Sequence, residues 1–303
     1  MTGALNIDIC VCTFRREHIA DTLRSLSTLL LQPTWGIHVI VADNDDTPSA
    51  RALVETTARV CNLSVTYLHA PARNISIARN ACLNKATGDL FAFIDDDELV
   101  TPEWLEAMIN TYQMKNADVV LGPVRAVYEE YHPKWLREGD FHSLKPVWIQ
   151  GKIMTGYAGN VLFNRTAKSI KGLRFRGDLG RTGGEDTFFF STIHKAGGYI
   201  VYSPEAIITE AVPSNRASFK WLLRRRYRFG QTHGRLLRET TASGFLQRLK
   251  YVTMAYAKLF FCLCISLLNI FNDQRRRFWL LRGMLHAGVG ASMLGVKTIE
   301  PYS

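Results

Sequence analysis

The 303-residue chain is 47% hydrophobic and 21% charged, with 22 Gly and 10 Pro, so it buries a sizeable core and is neither disordered nor collagen-like. Its net charge of +10 is uneven: residues 216–303 hold sixteen Lys and Arg against three acids, or +13, and residues 1–215 carry −3. A slightly acidic body before a basic C-terminal third implies an anionic partner, nucleic acid or a lipid surface.

Residues 7–13 are short, apolar and β-rich, and a helical pattern follows at Ile19, Leu23, Leu26, Leu29 and Leu30. Ile37 to Ala42 reads as a second strand ending in the turn cluster Asp43-Asn44-Asp45-Asp46, and Ser49 to Val60 as a helix. Val65 to His69, Ile75 to Ala86 and Leu90 to Ile94 repeat strand, helix and strand, the last running into Asp95-Asp96-Asp97-Glu98. Glu103 to Lys115 reads as a helix, Val119 to Tyr128 as one strand, residues 129–154 as an irregular aromatic loop, and Gly156 to Phe163 as a strand. Glu185-Asp186 opens a helix between Gly183 and Gly198, and Tyr199 to Tyr202 is a last strand. This alternation predicts an α/β fold with a mostly parallel sheet covered on both faces, whose ligands lie beyond the carboxyl ends of the strands.

The six cysteines, Cys10, Cys12, Cys61, Cys82, Cys262 and Cys264, show no metal spacing and read as buried thiols in a reducing compartment. Met1 to Asp8 has neither a basic region nor a long apolar stretch, so no signal peptide is expected and the body is expected in the cytoplasm.

Four consecutive acids at a strand end repel one another, and a divalent cation relieves that repulsion; a solvated turn leading into a helix is the alternative. Asp43 suits an imide N–H, a ribose hydroxyl or an Asx-turn. Arg79 matches a diphosphate as a bidentate fork or is a surface arginine. Asp186, after Gly183-Gly184, is a general base or part of a helix start.

The stretches Ile9-Cys10-Val11-Cys12-Thr13-Phe14-Arg15-Arg16, Val39-Ile40-Val41-Ala42-Asp43-Asn44, Ala78-Arg79-Asn80-Ala81, Phe93-Ile94-Asp95-Asp96-Asp97-Glu98, Gly159-Asn160 and Gly183-Gly184-Glu185-Asp186-Thr187 occur in an order that resembles the family 2 glycosyltransferases of the GT-A fold. Within that family the chain is most similar to exopolysaccharide glycosyltransferases of the succinoglycan type, especially one that adds glucose in β-1,4 linkage. The resemblance implies a GT-A domain over residues 1–215, a nucleotide-sugar donor such as UDP-glucose, a lipid-linked saccharide acceptor, and Mg²⁺ or Mn²⁺. It places Thr13, Arg15, Asp43, Arg79, Asp95 and Asp96 on the nucleotide sugar, Asp97 on the metal, Glu185 and Asn160 on the acceptor side, and Asp186 as the base of a single inverting displacement. The family's Gln-x-x-Arg-Trp element is replaced by Arg224-Arg225-Arg226-Tyr227-Arg228-Phe229-Gly230-Gln231, which implies transfer of one sugar rather than polymerisation.

Residues 259–271 are nearly all apolar, and the run reaches twenty from Val252 if Lys258 is included, marginal for a membrane span. With basic residues on both sides, an interfacial helix is expected, forming a hairpin with the apolar stretch Phe278 to Gly295, which Arg282, His286 and four glycines interrupt. Residues 216–303 are thus expected to hold the protein on the cytoplasmic face of the inner membrane, and no nucleic-acid motif accompanies the charge. The competing readings are a metal-dependent nucleotidyltransferase or phosphohydrolase, and a non-catalytic membrane assembly protein of the same fold.

Overall fold

The computed structural model describes residues 4–242 and 244–299. Strands β1 (Leu5–Thr13), β2 (Trp35–Asp43), β3 (Val65–His69) and β4 (Leu90–Asp95) alternate with helices α1 (Ile19–Leu26), α2 (Arg51–Val60) and α3 (Ile75–Lys85). There follow β5 (Glu98–Val100), α4 (Trp104–Lys115), β6 (Val119–Leu121), β7 (Val124–Val127), α5 (Lys134–Gly139) and the hairpin β8 (Trp148–Ile149) and β9 (Lys152–Ile153). The remaining elements are β10 (Asn160–Asn164), α6 (Glu185–Lys195), β11 (Ile200–Tyr202), β12 (Ile208–Ala211), α7 (Phe219–Thr240), α8 (Phe245–Leu268) and α9 (Asp273–Met293).

The main sheet has the order β11-β6-β10-β4-β1-β2-β3, and only β10 runs against the rest. Side chains alternate between two cores: Ile9, Val11, Val41 and Ile94 pack with Trp104 and Leu105 of α4, whereas Cys10, Cys12, Ala42 and Phe93 pack with Ala78 of α3 and Phe189 of α6. Burial on both faces explains why these strands read as unbroken apolar runs. The strand directions place the carboxyl ends of β1, β2, β4, β6 and β11 along one edge. A second sheet, β5-β12-β7, lies beyond β4.

Several sequence expectations shift. The run Val119 to Tyr128 is two strands in different sheets, because Pro123 has no N–H to continue a ladder and Gly122 packs so tightly on Ala206 and Asn160 that a Cβ would collide. The strand expected from Gly156 starts at Asn160, and the loop 129–154 contains α5 and a hairpin that turns through Gln150 and Gly151, both at positive φ. α1 stops at Leu26, where the Ser27 and Thr28 hydroxyls bond preceding carbonyls, and Leu30 is exposed. Cys61 and Cys264 are half-buried, unlike the other four thiols, and all six are free.

The glycines of the basic third do not break its helices. Gly230 and Gly288 bring the backbones of α7 and α9 together so closely that a Cβ on either would strike the facing carbonyl. α9 therefore lies against both α7 and α8 as an uninterrupted helix. Among the described residues α8 alone is long and apolar enough to cross a membrane, with mean hydropathy 1.8, and most of it is exposed.

Candidate active site

β4 delivers its acids to the carboxyl edge beside the loop after β1. Thr13 Oγ1 donates to Asp96 Oδ2 at 2.7 Å, and Arg16 Nη1 donates to Asp96 Oδ1 at 3.2 Å and also binds Asp97 Oδ2. Burial pushes Asp96 up to about 6 against the opposing pull of Arg16 and the Thr13 hydrogen bond. Glu98 is buried and its Oε2 accepts the Asp95 N–H at 2.7 Å; burial and the Asp95 charge push it well above the usual carboxylate range. Asp95 keeps a side chain 46% exposed to the cleft.

The opposite wall comes from α3 and α6. Asn74 caps α3 by accepting from the Ser76 and Ile77 N–H groups, and its Nδ2 donates to the Gly177 carbonyl at 2.8 Å. This fixes the helix that carries Arg79. The buried Arg79 guanidinium bonds Glu185 Oε1 at 2.5 Å and lies 3.5 Å from Asp95 Oδ1, joining the two walls. Glu185 Oε2 has no hydrogen-bond partner among the described residues. Asp186, in the first turn of α6, accepts its N–H bond from Thr187 at 2.6 Å. Burial, followed by the adjacent Glu185 charge, pushes Asp186 up to about 7, outweighing Arg79.

Gly183 and Gly184 make this turn possible, at φ +82° and +95°. A Cβ on Gly183 would lie 3.1 Å from Arg228 Nη2, and one on Gly184 would collide with Thr232. α7 of the basic third is therefore part of the wall behind Asp186, a contact that the sequence division at residue 215 did not anticipate.

Thr13, Arg79, Asp95, Asp96, Asp97, Glu185 and Asp186 thus converge, whereas three other expected residues do not. Asp43 is fully buried and accepts from the Asp45 N–H at 3.0 Å, the Ala50 N–H at 2.9 Å and the Tyr67 hydroxyl at 2.6 Å. Its bonds build the Asx-turn that follows β2. Arg15 lies at the rim and pairs with Asp45 at 2.8 Å. Asn160 is also fully buried: it accepts from Trp104 Nε1 at 2.8 Å and donates to the Pro123 and Ala206 carbonyls at 2.9 and 2.8 Å. It ties together α4 and the loops at Pro123 and Ala206. Asn160→Ala is expected to cost at least about 2 kcal/mol in urea unfolding, because it orphans three buried partners.

Sequence reasoning gave Arg16 no role, although it ends the first of the family-like stretches. It also missed Glu210 on β12, which lies opposite Glu98 in the strand pairing, bonds Arg216 at 3.0 Å and is pushed up to about 7 by burial and by Asp97. No local pattern marks Glu210, because its place depends on a pairing between distant segments.

The acids suit a hard divalent cation. Among the described residues no three carboxylate, imidazole or thiolate groups converge on one point. Gly159 keeps the cleft open here: a Cβ would sit 2.6 Å from Glu98 Oε1 and 3.2 Å from Asp95 Oδ2.

A mixed, mostly parallel sheet with flanking helices and a carboxylate cleft at its carboxyl edge is the GT-A glycosyltransferase architecture. The sequence profile for Glycosyl transferase family 2 matches residues 8–169, and that for Glycosyl transferase family group 2 matches residues 90–294. The chain belongs to glycosyl transferase family 2. It is 51% identical to the succinoglycan biosynthesis protein ExoM of Rhizobium meliloti (strain 1021), over 98% of this chain and 96% of that one. It is 24% identical to a glucosyl-dolichyl phosphate glucuronosyltransferase of Haloferax volcanii, over 74% of each chain. In fold it resembles the mannosyltransferase PcManGT from Pyrobaculum calidifontis, solved with GDP-Man and Mn²⁺, at TM-score 0.65 and 16% identity over 98% of this chain and 89% of that one. S. aureus TarS 1–349 with UDP-GlcNAc gives TM-score 0.55 and 16% identity over 96% and 92%.

Proposed function

We propose that the protein transfers a single glucose from UDP-glucose, with inversion, onto a lipid-linked oligosaccharide in succinoglycan-type exopolysaccharide synthesis. The observation that carries this reading is the Asp186 carboxyl, held at about 7 beside the Arg79–Glu185–Asp95 bridge. An aspartate of that basicity accepts a proton from a hydroxyl as the oxygen attacks. The acceptor oxygen forms its bond to the anomeric carbon while the bond to the diphosphate oxygen breaks, and the proton passes to Asp186. Arg79 faces the negative charge that grows on the departing UDP. Glu185 fixes Arg79 through one oxygen and leaves Oε2 for an acceptor hydroxyl. Asp97 would hold Mg²⁺ or Mn²⁺, which would supply positive charge to the diphosphate when bound. Similarity to ExoM over nearly the whole chain supports the succinoglycan assignment, and the metal-bound and nucleotide-sugar-bound relatives support the donor class.

Residues 216–303 form the membrane-association region in this reading, and the site-bearing domain occupies 1–215 with α7 as its added wall. Exposed Leu246, Leu249, Phe260 and Leu267 on α8 enter the interface at the cytoplasmic face, and exposed Arg248, Lys250, Lys258 and Arg275 meet anionic headgroups. Phe260→Glu with Leu267→Glu is expected to move most of the protein into the supernatant when sedimented with anionic vesicles. Retained sedimentation contradicts this placement.

The function is tested by UDP release from UDP-glucose with and without lipid-linked acceptor. The expected release depends on the acceptor and on added Mg²⁺ or Mn²⁺, and is lost with EDTA. Acceptor-independent hydrolysis contradicts the transferase reading.

A further inference from the structure

The carboxyl edge continues past the acid cluster across β10 and β6 to β11. Strand pairing puts Phe93, Val161, Leu121 and Tyr202 in one row, so at about 4.8 Å per strand Tyr202 stands about 14 Å from β4. Tyr157 occupies the interval: its hydroxyl donates to the Gly122 carbonyl at 2.6 Å, and it lies within electrostatic range of both Tyr202 and Glu98. At the far end the Trp148 ring meets Tyr202 edge to face, 5.4 Å between centroids. Trp148 is 50% exposed, but the hairpin that carries it is anchored by buried Ile153 and turns tightly through Gln150 and Gly151.

This row offers rings and hydroxyls, and around Tyr202 the charges balance, since Arg125 and Glu205 flank it with opposite signs. Such a surface suits a neutral polyhydroxylated ligand, whose C–H faces lie on rings and whose hydroxyls bond at the edges. Its length suits several linked sugars rather than one. We propose that Tyr157, Tyr202 and Trp148 form the acceptor-saccharide subsite, which holds an uncharged oligosaccharide with its reacting sugar at Asp186 and its next sugars along β11. The proposal rests on the transferase reading above.

The test titrates the full-length protein with cellotetraose and with glucose by calorimetry, and follows UDP release from UDP-glucose at each cellotetraose concentration. Wild type is expected to bind the tetramer more tightly than the monomer and to release UDP in response to it. Trp148→Ala is expected to weaken cellotetraose binding about tenfold, the scale of one lost aromatic contact, while Trp148→Phe retains most of it and both bind UDP as wild type does. Unchanged cellotetraose affinity in Trp148→Ala, or a parallel loss of UDP affinity, overturns the subsite; wild-type UDP release in response to cellotetraose would still leave the transferase reading standing. A wild type that does not bind cellotetraose more tightly than glucose also overturns the subsite, whereas the transferase reading is overturned only by failure with the lipid-linked acceptor.

Discussion

Asp186→Asn is expected to lower the rate of sugar transfer about 10²–10⁴-fold while UDP affinity stays within about twofold, because the substitution removes a proton acceptor and little else. The amide oxygen of asparagine still accepts the Thr187 N–H, so the first turn of α6 keeps its shape. The same residue sets the pH dependence. A base must be unprotonated, so the wild-type rate is expected to rise with pH and level off above about 7. The stability effect has the opposite sign. A carboxyl raised in the folded state contributes stability fully below its unfolded value of about 3.9, and loses that contribution as pH climbs through about 7. Asparagine carries no charge to bury, so Asp186→Asn is expected to gain in Tm over wild type between pH 5 and pH 8. A flat rate profile from pH 6 to 8 contradicts the assignment.

Arg79→Met is expected to have the largest effect on stability, about 3–5 kcal/mol in urea unfolding, because it leaves the Glu185 carboxylate buried without its cation. Adding Glu185→Gln is expected to recover most of that loss without recovering transfer, since the charge facing the departing diphosphate is still missing. Arg79→Lys retains a charge but loses the fork that reaches Glu185 and Asp95 together, and is expected to fall between wild type and Arg79→Met. Additive destabilisation in the double variant contradicts the coupling.

The strands of the main sheet and their order along the chain were legible because both faces of that sheet are buried, which writes β1, β2 and β4 as unbroken apolar runs. The acids ending β4 and the Glu185-Asp186 turn were legible because strand ends at one edge of an α/β sheet converge in space. Asp43 and Asn160 fit the same pattern and also brace the fold, a role the sequence did not show because their partners Tyr67 and Trp104 are 24 and 56 residues away. The wall that α7 supplies was hidden for a related reason. Arg228 and Thr232 read as part of a basic tail until packing brings them onto Gly183 and Gly184. The glycines of α9 looked like interruptions because sequence alone does not show the backbone of α7 against which they lie.

Addition of one sugar to a lipid-linked saccharide at the Asp186 cleft, with inversion, is tested most directly on the product. Membranes carrying the protein are incubated with UDP-[¹⁴C]glucose and lipid-linked acceptor, and the labelled lipid product is cleaved and sized. The expected product is a saccharide longer by one hexose, its label released by a β-glucosidase and resistant to an α-glucosidase, and absent with Asp186→Asn. Label recovered as free glucose or as a polymer, or in an α-linkage, contradicts it.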